Sequence, residues 1–146
     1  MPETKICRKK DCFTGKTELE NLGLVTDFVN RLMEGCGYSR RFQMQIDIAV
    51  EEIYTNICSY AYPDGVGEIV VEAVAAYKKM QLTFTDSGFA YNPLEQEAPD
   101  ITLPAQQRRI GGLGIYMVRQ IMDEISYRRV DGKNVLGMVK YTDECS

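Results

Sequence analysis

Glu52 and Asn56 stand four residues apart, Asp86 and Gly88 follow, and Gly111, Gly112, Leu113 and Gly114 make a late glycine run. Side chains four apart share one face of a helix, so a carboxylate and an amide oxygen can converge on one ion. Mg²⁺ takes hard oxygen ligands, keeps several waters and completes its shell with phosphate oxygens, so one Asn carbonyl suffices from the protein. Glu52 beside it can orient a water or take a proton from an attacking hydroxyl. Asp86 ends a strand-like run, where an acceptor at the sheet edge suits the exocyclic amine of adenine. Gly88 next to it lets a flat base approach the backbone. The glycine run opens a helix, whose amides and dipole favour phosphate oxygens, and Arg108 and Arg109 precede it within reach of the same oxygens. In this order the pieces are the parts of an ATP site: a general base, a magnesium ligand, an adenine reader and a phosphate loop.

Each piece alone has a plainer reading. Glu52 and Asn56 can be the solvated face of an amphipathic helix, Asp86 and Gly88 an ordinary turn, and the glycines a hinge flanked by two hydrated arginines. Their succession along one chain favours the site. A Rossmann signature is a poorer match, because its glycines follow the first strand and these come late, after an irregular segment.

Composition narrows the chemistry. The 146 residues suit one domain, residues 1–146, with one core. Seventeen basic against 21 acidic residues leave a net charge of −4, which argues against a nucleic-acid-binding face. Histidine is absent, which removes a Ser-His-Asp relay, an imidazole ligand and a phosphohistidine from this chain. Five cysteines, odd in number and without a CxxC pair, read as reduced thiols. No apolar stretch approaches a membrane span and the N-terminus has no apolar signal core, so the expectation is a soluble, cytoplasmic protein without a membrane partner.

The elements that must position the site follow from periodicity. Thr17 and Glu20 form a capping box for a helix over 18–34, and Ser39 is the N-cap of a second, with Phe42, Ile46, Ala49 or Val50, Ile53, Ile57 and Tyr60 as its buried stripe. Strands are expected over 68–77 and 80–85 around a Lys78-Lys79 turn, then a long loop over 94–109. Ile115, Val118, Met122 and Ile125 mark a third helix, and 125–130 with 134–141 a hairpin around Asp131-Gly132. Strand, two helices, two strands, loop, helix and two strands give an α+β fold. It is a two-layer α/β sandwich, a largely antiparallel mixed sheet with helices on one face.

Taken together these segments resemble the GHKL ATPase superfamily, and within it the stand-alone bacterial anti-sigma-factor serine kinases. The resemblance implies a Bergerat-type ATP-binding fold with ATP and Mg²⁺ as its ligands. It implies Glu52 as the catalytic base, Asn56 as the magnesium ligand, and Asp86 and Gly88 as the adenine box. Gly111, Gly112, Leu113 and Gly114, with Arg109, then hold the phosphates, and the segment between the two boxes is a lid. Tyr60 stands where such kinases commonly carry a His, and Ala90 near where a second glycine is often found. The implied function is a serine protein kinase that phosphorylates an anti-sigma-factor antagonist, binds a sigma factor in its other state, and works as a homodimer. The alternative is a nucleotide-gated binding module without phosphotransfer.

Overall fold

The computed structural model describes residues 8–95 and 112–143. Five strands form one sheet: β1 (Arg8–Lys16), β2 (Glu68–Ala76), β3 (Lys79–Asp86), β4 (Glu124–Val130) and β5 (Lys133–Tyr141). Their order is β1-β2-β3-β5-β4, so β5 inserts between β3 and β4. Every pairing is antiparallel, and the mixed character expected of the sheet is absent among the described residues.

Alternation decides which face each strand buries. Ile69, Val71, Ala73 and Ala75 of β2, Met80, Leu82 and Phe84 of β3, and Leu136 and Met138 of β5 all point into the core. The same two-residue period carries Asp86 and Asn134 onto that inward face, at the facing ends of two central strands. Three helices cover this side: α1 (Leu22–Met33), α2 (Arg40–Asn56) and α3 (Gly112–Ile121). Helix α2 lies between the other two and buries Phe42, Ile46, Ala49, Val50, Ile53 and Tyr54. Among the described residues no helix is long and apolar enough to cross a membrane.

Local signals held where the chemistry is short-range. The Ser39 side chain accepts from the Phe42 N–H and starts α2 as expected. Asp131 (φ 50°) and Gly132 (φ 77°) make the two-residue turn between β4 and β5. The other hairpin turns one residue early, at Tyr77-Lys78, with Lys78 at φ 62° and Lys79 already in β3. The capping box is overturned. The Thr17 hydroxyl accepts from the Gly67 N–H at 2.9 Å, and the Thr17 N–H donates to the Gly67 carbonyl at 2.9 Å. Thr17 thus clamps the end of β1 to the approach to β2, and α1 is entered through a 3₁₀ turn, Leu19–Asn21, with no side-chain cap.

Two further expectations change. Ile125 belongs to β4, since α3 ends at Ile121. Cys36 is disulfide-bonded, while Cys12 and Cys58 are free thiols. The scatter of cysteines in sequence hides that pairing, because spacing encodes no distance across the fold.

Candidate functional site

The end of α2 carries the first two groups. Asn56 Nδ2 donates to the Glu52 carbonyl at 2.8 Å and to Glu52 Oε2 at 2.5 Å. Asn56 is 2% exposed, so it is a core position rather than part of a solvated helix face. With its amide hydrogens both directed at Glu52, its oxygen faces away. That oxygen accepts no hydrogen bond among the described residues. Glu52 is half-buried, and burial pushes its carboxyl above the usual glutamate range, while the Asn56 hydrogen bond draws it back down.

Beyond Asn56 the helix widens into a π turn, Ile57–Ala61, which ends ahead of Pro63. Such turns shift carbonyls out of the ordinary helical ladder. Here the Ala61 carbonyl accepts from the Phe89 N–H at 2.9 Å. The backbone of Gly88 rests so close to it that an added Cβ would overlap the Ala61 oxygen and sit 2.9 Å from its carbonyl carbon. Glycine at 88 is therefore required for close approach of two backbones. Tyr60, expected in the buried stripe, is half-exposed and stacks on Tyr91 with ring centroids 4.9 Å apart; Tyr54 takes the buried place instead. The Tyr54 hydroxyl donates to the Lys16 and Glu18 carbonyls, tying α2 to the end of β1.

Asp86 departs from its expected setting. It does not protrude at a sheet edge: it ends a central strand, on the core face, and is 3% exposed. Its Oδ1 accepts from the Gly88 N–H at 2.9 Å and from Asn134 Nδ2 at 2.9 Å. Its Oδ2 accepts no hydrogen bond among the described residues. Burial pushes the carboxyl above the usual aspartate range; the bonds from Asn134 and Gly88 and the charge of Arg129 act the other way.

The glycine run reaches the same place from α3. An added Cβ at Gly114 would overlap the Glu52 carboxyl group, so the α3 backbone abuts that carboxylate. Gly112 and Leu113 open α3 just ahead of it. Arg109 and Gly111, like Arg108, lie outside the described residues. The structure thus brings Glu52, Asn56 and Gly114 together, and holds Asp86 and Gly88 against the end of the same helix.

Asn134 is the site residue that sequence reasoning missed. A polar residue at the inward position of the 134/136/138 alternation was the available signal. It is 4% exposed and bonds both Asp86 and the Phe89 carbonyl.

Two buried oxygens, Asn56 Oδ1 and Asp86 Oδ2, are thus without partners among the described residues. Native interiors pair such atoms, so each points to a missing ligand or water. A carbonyl oxygen suits a hard cation, and a carboxylate oxygen suits an amine donor. No group of three or more Cys, Asp or Glu side chains gathers among the described residues, so a cation here would draw most of its shell from phosphate and water. The residues present fit both ATP and Mg²⁺.

Comparison with known proteins places the chain in an ATPase family. The family profile described as "Histidine kinase-like ATPase domain" matches residues 16–140. The chain is similar to the serine-protein kinase RsbW of Bacillus thuringiensis (strain Al Hakam) and that of Bacillus anthracis (strain CDC 684 / NRRL 3495). Each is 34% identical over 98 residues, which is 64% of this chain and 61% of the relative. The match therefore spans less than two thirds of those relatives' length. The crystal structure of the RsbU and RsbW domains of Rv1364c from Mycobacterium tuberculosis superposes on 91% of this chain and 32% of its own, with a TM-score of 0.65 and 15% identity. That likeness is one of fold.

Proposed function

We propose that this chain, which belongs to the histidine kinase-like ATPase domain family, is an ATP- and Mg²⁺-dependent serine protein kinase. Its substrate would be an anti-sigma-factor antagonist, and its switch a choice between that antagonist and a sigma factor. Residues 1–146 act as one domain, as a homodimer in the cytoplasm. The observation that carries this reading is the meeting of the Glu52 carboxylate with the backbone of Gly114, beside an Asn56 oxygen that accepts no hydrogen bond among the described residues. The serine kinases among the similar proteins support the reaction class.

The roles follow from the chemistry of each group. Asp86 Oδ2 accepts from the amine of adenine, and Gly88, packed against the Ala61 carbonyl rather than leaving room for the base, fixes Asp86 through its N–H. The amides at the start of α3, with Gly111 and Arg109 ahead of it, hold the phosphates. Asn56 Oδ1 would hold Mg²⁺, which when bound neutralises charge on the phosphate oxygens. Glu52 takes the proton of a serine hydroxyl as its oxygen bonds the γ-phosphorus. The bond from that phosphorus to the β–γ bridging oxygen breaks, and ADP departs with the electron pair.

Incubation with ATP, Mg²⁺ and an antagonist protein encoded beside it should yield phosphoserine. Glu52→Gln should cut transfer by about 10²- to 10⁴-fold, the usual worth of a positioned general base, with ADP affinity retained. Undiminished transfer in Glu52→Gln removes the assigned role, and ADP binding without transfer to any such antagonist leaves a nucleotide-gated binding module.

A further inference from the structure

Arg129 of β4, Asn134 of β5 and Asp86 of β3 occupy one cross-strand row: Arg129 pairs with Asn134, and Asn134 pairs with Asp86. Residues in register on neighbouring strands share a face, so their side chains meet in sequence across the sheet. The meeting is dense in hydrogen bonds. Arg129 Nη1 donates to the Gly88 carbonyl at 2.8 Å and to Asn134 Oδ1 at 3.1 Å. Asn134 Oδ1 also accepts from the Tyr91 N–H at 3.2 Å and from the Tyr127 hydroxyl. On its other side Asn134 Nδ2 donates to Asp86 Oδ1 at 2.9 Å and to the Phe89 carbonyl at 2.8 Å.

This network admits one orientation of the amide. Turned over, Asn134 would set its NH₂ against the donors of Arg129 and Tyr91, and its oxygen against Asp86 Oδ1 and the Phe89 carbonyl. The arginine side therefore dictates what Asp86 meets. With the Gly88 N–H and Asn134 both on Oδ1, Asp86 has its rotation fixed and one acceptor left over, Oδ2.

We infer that Asn134, oriented by Arg129 and Tyr127, is a positioning residue that makes Asp86 a single-acceptor reader selective for a 6-amino purine over a 6-oxo purine. The inference rests on the reading of Asp86 as the adenine acceptor and adds the device that enforces it. A 6-oxo base presents an acceptor where Asp86 presents an acceptor, and a buried pair of that kind is strongly disfavoured. Asn134 itself touches no base and acts through Asp86.

The test is calorimetric binding of ADP and of inosine diphosphate, each with Mg²⁺, to the full chain and two variants. Wild type should prefer ADP by about tenfold or more, the scale of one hydrogen bond to a charged group. Asn134→Asp keeps the acceptor that Arg129, Tyr91 and Tyr127 need and deletes the donor to Asp86. Two carboxylates so close share a proton, and a protonated Asp86 can donate to a 6-oxo group. The ADP preference should then collapse, with ADP affinity falling about tenfold and inosine diphosphate affinity held or raised. Arg129→Met, at an exposed position, should narrow the preference several-fold while melting near wild type.

An unchanged ratio in folded Asn134→Asp overturns the inference, as does an equal loss for both nucleotides, which a merely structural role would produce. If Asn134→Asp does not fold, an unchanged ratio in Arg129→Met overturns it alone. Absence of ADP binding by wild type removes the underlying reading as well, and so is distinct from a failure of the relay.

Discussion

Replacing Gly114 by Ala separates the site from the fold. The added methyl would occupy the space of the Glu52 carboxyl group. Two things can give way: the α3 backbone, or the far end of a flexible glutamate. The glutamate moves at far lower cost, so α3 stays and Glu52 swings out. Leaving its place breaks the 2.5 Å bond from Asn56, a loss of at most about 1.5–3 kcal/mol and less for a half-exposed carboxylate. Alanine in place of glycine inside a helix returns roughly 0.5–1 kcal/mol. The net change is on the order of 1 kcal/mol, a melting shift of a few degrees. Phosphotransfer should fall by about 10²- to 10⁴-fold, because the base is displaced. Gly23→Ala in α1, where an added Cβ meets nothing within 4 Å, is the control. It should stabilise by roughly 0.5–1 kcal/mol with transfer unchanged. Thermal melts beside a radiolabelled-ATP transfer assay read both effects. Wild-type transfer by Gly114→Ala would refute the contact between α3 and the base.

Other outcomes follow. Asp86 has a folded pKa above its unfolded one, so the native state binds more protons and stability falls as pH rises through that interval. Asp86→Asn should therefore melt at or above wild type at pH 7 without nucleotide, a difference that closes below the ordinary aspartate range. Its amide oxygen keeps the Gly88 and Asn134 donors, which turns its NH₂ toward the adenine amine, and calorimetry should show ADP affinity reduced at least about tenfold. Glu52 is likewise raised, so transfer should fail on acidification at a pH above that of an ordinary glutamate. Asn56→Ala, which removes the bond favouring the charged form, should move the Glu52 pKa further up in a carboxyl NMR titration. Gly88→Ala sets a methyl against the Ala61 carbonyl, which is backbone and cannot rotate away. A loss of about 1–3 kcal/mol in denaturant unfolding is expected.

Much of this arrangement is legible in residue order, and what is not has physical causes. Ser39, Asp131 and Gly132 act through their own neighbours, so their sequence signals transfer directly to structure. Thr17 carries an equally good local signal, yet Gly67, distant in sequence, competes for its hydroxyl and wins. Asp86 and Asn134 are misread for a different reason. Hydrophobic alternation stops at Phe84 and Leu136, whereas the pleat continues one pair further, so two polar groups inherit core positions. The π turn after Asn56 and the bond of Cys36 depend on tertiary partners that no local pattern records.

Two buried polar groups, Asn56 and Asp86, explain why the site stays poised. A buried acceptor without a donor costs about 1–3 kcal/mol, and Asn56 Oδ1 and Asp86 Oδ2 are both in that state among the described residues. Together they equal a sizeable part of the roughly 5–15 kcal/mol that holds a domain folded. A chain selected for stability alone would place apolar side chains there, as it does at Ile53 and Phe84 on the same helix and strand. Keeping the oxygens, and saturating the other oxygen of Asp86 with the donors of Gly88 and Asn134, makes sense if a ligand satisfies them. The donors a ligand brings then count as affinity, since whatever pairs with both atoms binds the native state and not the unfolded one. The donor side of Asn56 and the saturated Oδ1 of Asp86 are what keep those two oxygens presented rather than collapsed onto the protein itself.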